Sequence, residues 1–106
     1  AGAPKLAVYA AAKHGVVGLT RSAAAECATK GVRINAVCPS FARTAMVTQV
    51  LGQDNAAGEA DLTRGVPMRR LAETDEIAEA ILFAADPLNS FMTGQALAID
   101  GGITAI

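Results

Sequence analysis

The feature that most restricts the fold is a predicted helix that is followed directly by a predicted strand. An alanine-rich stretch from Val8 to Lys30 predicts a helix over residues 8–29, and Gly31 follows as the left-handed residue that commonly ends one. Residues 32–38 are largely apolar and β-branched and predict a strand. A strand that follows a helix with almost no linker is typical of a parallel α/β sheet.

The predicted helix carries Tyr9 and Lys13 four residues apart. Residues i and i+4 stand one above the other on the same helix face, so the phenol and the ammonium would project together. A nearby cation favours the phenolate and lowers the tyrosine pKa from its ordinary value of about 10. The pair is therefore a candidate proton donor and acceptor for a carbonyl/alcohol interconversion. The alternative is a packing pair whose lysine reaches to water.

The two faces of this helix differ in character. The Tyr9 face carries no charge besides Lys13, and it continues through Val16, Thr20, Ala23, Ala24 and Cys27. A lysine on such a face needs a specific partner. The opposite face is small throughout, with Ala11, Gly15, Gly18, Ser22 and Ala25. Each interior glycine costs about 1 kcal/mol against alanine, so we expect close packing there, most simply on the same helix of a second copy. A tolerant surface is the alternative.

The rest of the chain supplies loops, a further helix and a further strand. Residues 1–7 predict a loop, and residues 39–44 break the first strand. Loops at the carboxyl ends of parallel strands commonly bind ligands, so Thr44 and the backbone around Ala42 are contact candidates, with an ordinary strand exit as the alternative. The mixed segment 45–70 predicts a broken helix and mobile loop. It suits a lid over an apolar substrate, or equally a surface helical hairpin.

Two further elements follow the mixed segment. Thr74 is predicted to cap a second helix that stops at Asp86-Pro87. Residues 95–99 are apolar on both pleat faces, as in a covered parallel strand, and Asp100 opens a turn. The two predicted strands are not obviously neighbours in the sheet.

Composition narrows the classes of function. The net charge is -1, with Lys and Arg spread singly, so neither a nucleic-acid partner nor a membrane is expected. No apolar run approaches the roughly 18 residues of a membrane span, and no signal peptide opens the chain. Cys27 and Cys38 lack a Cys-x-x-Cys spacing and His14 is the one histidine, so we expect no metal site and a reducing, cytoplasmic setting. His14 lies off the Tyr9 face and is assigned to structure or surface.

Four motifs in order resemble the carboxyl-terminal half of a classical short-chain dehydrogenase/reductase. They are Tyr9-x-x-x-Lys13 (the YxxxK motif), Gly31-Val32-Arg33-Ile34-Asn35-Ala36-Val37-Cys38-Pro39-Ser40-x-x-x-Thr44, Thr93-Gly94-Gln95 and Asp100-Gly101-Gly102. The resemblance covers essentially the whole chain and implies an α/β fold. Residues 1–106 would form the carboxyl-terminal part of a Rossmann-type, doubly wound parallel sheet.

The resemblance also implies roles for individual residues. Tyr9 would be the catalytic acid/base, and Lys13 would lower its pKa and hold the nicotinamide ribose of NAD or NADP. Cofactor contacts at the nicotinamide end would come from Pro39, Ser40, Ala42 and Thr44. Ser40 stands where the family usually has glycine, which a serine can replace if its φ is negative. The substrate would be a small alcohol or ketone, and the assembly a homodimer or homotetramer through helix 8–29.

Parts of the family pattern do not occur in this sequence. No Gly-x-Gly-x-x-Gly run is found, and the serine and asparagine of the family's active site would precede Ala1. We therefore expect the amino-terminal dinucleotide-binding half to be absent and the isolated chain to be inactive. The competing interpretation is a fragment that acts only in subunit association.

Overall fold

In a computed structural model the chain is described over residues 7–45, 47, 49 and 56–105. These residues belong to two compact units. The first comprises Ala1–Ala36 with Asp86–Leu97, and the second comprises Val37–Ala85 with Ala98–Ile106. The loop predicted over residues 1–7 lies outside the described residues except for its last position, which is helical.

The long helix of the first unit agrees closely with the prediction. Helix α1 spans Ala7–Cys27 and tightens into a 3-10 turn at Ala28–Lys30. Gly31 ends it with φ 74° and ψ 17°, a left-handed conformation that glycine adopts without the strain of a Cβ. Its N–H donates to the carbonyl oxygen of Ala28 at 3.4 Å.

One end of the predicted Tyr9 face packs inside the first unit. Thr20 and Ala24 are buried, and a Cβ added at Gly94 would lie 3.4 Å from the Cβ of Ala24. The Thr20 hydroxyl is satisfied within the helix, since it donates to the carbonyl oxygen of Val16 at 2.7 Å. Val16 itself is 56% exposed, so the buried stripe is shorter than the sequence pattern predicts.

Within residues 7–45 and 56–105, two parallel strands form the sheet, β1 at Ala36–Pro39 and β2 at Ala96–Ile99. The N–H of Ala36 donates to Gln95 at 2.8 Å and the N–H of Ser40 donates to Ile99 at 3.2 Å, which keeps one register along the pair. The strands are hydrogen-bonded neighbours, so the expectation that they were not obviously adjacent was wrong.

The first strand starts at Ala36, four residues later than the predicted start at residue 32. The residues before Ala36 hydrogen-bond to a loop instead of a neighbouring strand. Ile34 receives the N–H of Gly94 at 2.7 Å, and Arg33 donates to the carbonyl oxygens of Asp86 and Met92, both at 3.1 Å. The Asn35 side-chain amide makes two bonds to the same loop: its NH2 group donates to the carbonyl oxygen of Met92 at 3.1 Å, and its oxygen accepts the N–H of Gln95 at 3.0 Å. These polar contacts take the place of a ladder.

Two helices of the second unit are described from end to end, α2 at Ala56–Leu62 and α3 at Thr74–Ala85. Its buried residues lie between them in sequence, at Thr63, Val66 and Leu71. The Thr63 hydroxyl donates back to the carbonyl oxygen of Glu59 at 2.8 Å, which satisfies it. The segment joining the helices is therefore anchored rather than loose.

The start of α3 corrects a detail of the sequence interpretation. The helix begins at Thr74, and the carboxylate of Glu76 accepts the N–H of Glu73 at 2.9 Å. This is the reciprocal half of a capping box, in which Glu73 stands at the N-cap position predicted for Thr74 and Thr74 is the first residue of the helix.

The turn after β2 confirms the prediction from Asp100-Gly101-Gly102. The Asp100 carboxylate accepts the N–H of Gly102 at 3.0 Å and the hydroxyl of Thr104 at 2.8 Å. Gly101 has φ 63°, and a Cβ there would lie 2.6 Å from a methyl group of Val66. Both backbone conformation and space therefore require glycine. Among the described residues, no helix combines the length and apolarity needed to cross a bilayer.

Candidate functional site

Tyr9 and Lys13 both lie in α1, one helical turn apart, as the sequence predicts. The Lys13 side chain is half-buried, whereas the Tyr9 side chain lies outside the described part of the structure. The neighbouring His14 is exposed and its Nδ1 lies 2.7 Å from the carbonyl oxygen of Ala10. This local contact agrees with the assignment of His14 to the surface.

The remaining predicted site residues form one continuous loop in the second unit. Pro39 ends β1, and the backbone then pairs with the segment that precedes α3. The N–H of Arg43 donates to Ala72 at 2.8 Å, and the N–H of Ala72 donates to Phe41 at 3.0 Å. These two bonds form an isolated parallel bridge between Ala42 and Ala72 and fix the backbone course of the loop.

Ser40 meets the condition under which a serine can replace glycine here. Within the described residues, Arg69 is the one non-glycine residue with positive φ, at 57°. Ser40 therefore holds a negative φ and carries its side chain without backbone strain. Its side chain is half-buried.

Thr44 is exposed and stands at the start of a helical segment that includes residues 45, 47 and 49. Its hydroxyl oxygen accepts the N–H of Val47 at 3.4 Å, as an N-cap residue does. Its own N–H turns back to the carbonyl oxygen of Ala42 at 2.9 Å. The side chain predicted to meet the cofactor thus sits at a helix N-terminus, on a defined turn.

A charged cluster beside Thr44 escaped the sequence analysis. The guanidinium of Arg43 contacts both carboxylate oxygens of Glu59, at 2.8 and 3.0 Å, and its Nε contacts Glu73 at 2.9 Å. The hydrogen bonds that Arg43 donates to Glu59, and then to Glu73, raise its pKa above the ordinary value. The same Arg43 contact lowers the pKa of Glu59. The partners are 16 and 30 residues away, so no local spacing signals them.

A second ion pair joins the approach to α3 with its first turn. Arg70 contacts both carboxylate oxygens of Glu76, at 2.7 and 2.9 Å. This pair, assisted by the N–H of Glu73, lowers the pKa of Glu76 to about 2. The pair stabilises the geometry of the capping box.

A cavity of about 110 Å³ opens within the second unit beside Ser40 and Phe41. Its lining is mainly apolar, with Arg70, Glu76 and Asp100 contributing charge. Small-molecule sites usually measure about 300–1,000 Å³, so this cavity is too small for a dinucleotide. In the part of the chain that the structure describes, no three metal-ligating side chains come together.

The chain is similar to known proteins in both sequence and structure. The family model described as enoyl-(acyl carrier protein) reductase matches residues 1–104. The short-chain dehydrogenase RED2 of Pyricularia oryzae is 44% identical over 104 residues, which cover 98% of this chain and 37% of that protein. The solved structure of ElxO with NADP bound superposes with a TM-score of 0.92 at 37% identity, over 100% of this chain and 42% of ElxO.

One relative bears on whether activity accompanies this sequence. The inactive 2-(S)-hydroxypropyl-CoM dehydrogenase 2 of Xanthobacter autotrophicus is 45% identical over 107 residues, or 99% of this chain and 46% of that protein. The chain thus spans less than half the length of these curated relatives.

Proposed function

Because the chain belongs to the short-chain dehydrogenase/reductase family, we propose that residues 1–106 are the carboxyl-terminal part of an NAD(P)-dependent oxidoreductase. The enzyme would interconvert a secondary alcohol and a ketone on a small molecule. The observation that carries this proposal is the Tyr9 and Lys13 spacing of one turn on α1, in a chain whose family is established. Relatives named as short-chain dehydrogenases support the reaction class.

Tyr9 is the proposed acid/base. In the reductive direction its phenol gives a proton to the developing alkoxide oxygen of the substrate, and in the oxidative direction the phenolate takes the proton from the alcohol. Lys13 lies on the same helix and favours the phenolate through its positive charge. The second role proposed for Lys13, which is half-buried, is to hold the nicotinamide ribose.

The loop after β1 is the proposed contact for the nicotinamide end of the cofactor. Its residues fit such a group: Ser40 has an unstrained backbone, and Thr44 presents an exposed hydroxyl at a helix N-terminus. Pro39 and Ala42 set the backbone course that carries them. NAD or NADP supplies or accepts the hydride when bound. The NADP held by ElxO supports this choice of cofactor class.

The segment 45–70 is proposed to cover the substrate. Residues 46, 48 and 50–55 lie outside the described structure, and its later part forms α2 and the buried turn around Thr63 and Val66. We propose that the segment, anchored at this later part, acts as a lid over an apolar substrate. Binding of the adenine half of the cofactor would belong to an amino-terminal half in a full-length enzyme.

Assembly through residues 8–29 is also proposed, as a homodimer or homotetramer in the cytoplasm. The small face of α1 is exposed, and a Cβ added at Gly15 or Gly18 would meet none of the described residues within 4 Å. This leaves space for a closely packed helix. The alternative function, association without catalysis, is favoured by the 45% identity to a relative described as inactive.

Turnover separates these two functions. The experiment uses a full-length enzyme that carries this chain as its carboxyl-terminal part, with a panel of small ketones and either NADH or NADPH. Oxidation of the reduced cofactor at 340 nm that depends on the ketone supports the oxidoreductase. A stable oligomer that neither binds nor oxidises either cofactor would support the association function instead.

A further inference from the structure

The Arg43 side chain joins three separate pieces of the second unit. It extends from the loop residue that directly precedes Thr44, and its guanidinium reaches Glu59 in α2 and Glu73 at the start of α3. The Nε of Arg43 donates to Glu73, and its two terminal nitrogens donate to the two carboxylate oxygens of Glu59. These three hydrogen bonds hold the guanidinium in one position, and the two carboxylates balance its positive charge.

Exposed ion pairs often contribute little, so the geometry matters. Arg43 is 45% exposed at its side chain and Glu59 is 29% exposed. Pairs of this kind become significant when an arginine binds a carboxylate through two parallel bonds or when several charges form a network. Both conditions hold here. Lysine could satisfy the charge but cannot reproduce the planar fork.

The cluster acts on backbone that is already constrained. The N–H of Arg43 forms one of the two bonds of the Ala42–Ala72 bridge, and Ala72 directly precedes Glu73. The backbone bridge and the side-chain contacts therefore hold the same two segments together at adjacent residues. The side chain adds to the bond from the Thr44 N–H to the Ala42 carbonyl oxygen in setting the direction in which the chain leaves Ala42 towards Thr44.

We propose that Arg43 is a positioning residue for the cofactor loop, holding Thr44 against the nicotinamide end of the dinucleotide through Glu59 and Glu73. This inference rests on the proposed function for the identity of the ligand, but the loop order that it describes is a property of the chain itself. Arg43 touches neither cofactor nor substrate in this role. It acts through Thr44.

The consequence falls on cofactor affinity rather than on the chemical step. Apparent affinity is reduced by the fraction of molecules whose loop is competent to bind. If losing Arg43 lowers that fraction from near one to between a third and a tenth, the KM for the cofactor rises by about threefold to tenfold. The kcat at saturating cofactor changes little, because binding restores the loop.

The test compares Arg43→Gln and Arg43→Lys with Arg64→Gln in a full-length enzyme carrying this chain. Arg64 is a matched control because its exposed ion pair in the same unit is with Asp61 of α2, whereas Glu59 and Glu73 pair with Arg43. For each variant, amide hydrogen exchange is measured at Arg43 and Ala72, and kcat and KM are measured for the cofactor. Amides in the middle of α3 report whether the unit remains folded.

We expect Arg43→Gln to accelerate exchange at both bridge amides and to raise the cofactor KM, with α3 amides and kcat unchanged. Arg43→Lys should fall between Arg43→Gln and the unmutated enzyme, and Arg64→Gln should match the unmutated enzyme. Glu59→Gln should raise the cofactor KM by a smaller factor when it is added to Arg43→Gln than when it is made in the unmutated enzyme.

Bridge amides that exchange at the unmutated rate in Arg43→Gln would overturn the inference, as would an equal effect of Arg64→Gln. Unchanged cofactor KM together with faster exchange would also overturn it, since the loop order would then not matter for binding. Failure of the proposed function is a separate result: the unmutated enzyme would not bind the cofactor, while the exchange rates would still decide whether Arg43 orders the loop.

Discussion

The carboxylate of Glu76 lies 2.7 Å from one nitrogen of Arg70 and 2.9 Å from the other, while it also accepts the N–H of Glu73. One side chain thus caps α3 and ties the preceding segment to it. Because both interactions require the ionised carboxylate, they lower its pKa to about 2. The geometry of α3 is therefore coupled to pH.

This coupling predicts how stability changes in acid. A carboxyl with a lower pKa in the folded state contributes stability above its unfolded pKa, near 4.5, and that contribution is lost as the pH falls towards 2. In a full-length enzyme carrying this chain, Glu76→Gln should reduce the pH dependence of the urea midpoint between pH 5 and 2. Glu79→Gln, on the same helix, is the control. If Glu76→Gln and the unmutated protein lose stability equally across this window, the pair does not stabilise α3.

Substitutions at Gly18 test the assembly proposal. A Cβ added at Gly18 would meet none of the described residues within 4 Å, so we expect a loss of association to come from a second copy. Gly18→Ala should keep the oligomer and favour the helix by up to about 1 kcal/mol. Gly18→Leu should separate the subunits. Analytical ultracentrifugation of both variants decides, and an unchanged oligomer in Gly18→Leu would place the interface elsewhere.

Lys13→Met tests the two roles proposed for the lysine. Methionine keeps much of the half-buried stem but removes the charge, so the cofactor should bind more weakly. Losing the cation also raises the pKa of the proposed tyrosine base, which moves the limb of the kcat profile that depends on the base to higher pH. Fluorescence titration with NADPH and a pH series measure these effects. If neither changes, Lys13 is a surface lysine without a role in the reaction.

The 106-residue chain by itself should be inactive and weakly folded. Leu88 and Phe91 in the first unit and Leu82 in the second are strongly exposed, and the sheet has two strands among the described residues. A sheet of this size needs further strands or helices to cover its apolar faces. We expect the expressed chain to bind a hydrophobic dye and to lack a cooperative unfolding transition. A sharp transition from a monomer would contradict this expectation.

Local sequence signals succeeded where one residue type determines the backbone. Gly31 ended the first helix as expected, because its left-handed conformation requires glycine, and Asp100 with its two glycines formed the predicted turn. The start of β1 was predicted four residues early. Apolar alternation at Val32 and Ile34 indicated a strand, but Arg33 and Asn35 bond a loop that is distant in sequence.

Contacts between distant residues could not be predicted from local patterns. The pairing of β1 with β2 joins residues 59 or more positions apart. Arg43 bonds Glu59 and Glu73, which lie 16 and 30 residues away in the sequence. In the sequence, Arg43 is one charge among many, with no periodic or capping position to distinguish it. Thr44 was predicted as a contact because it follows a strand, whereas the cluster beside it depends on tertiary structure.

The most direct test of the central claim is the kcat of Tyr9→Phe in a full-length enzyme carrying this chain. Phenylalanine keeps the ring and removes the transferable proton, so kcat should fall by about 10² to 10⁴-fold while the Kd for the cofactor stays nearly unchanged. That result would support Tyr9 as the acid/base. A Tyr9→Phe enzyme with near-normal kcat would contradict the account and remove Tyr9 from the mechanism.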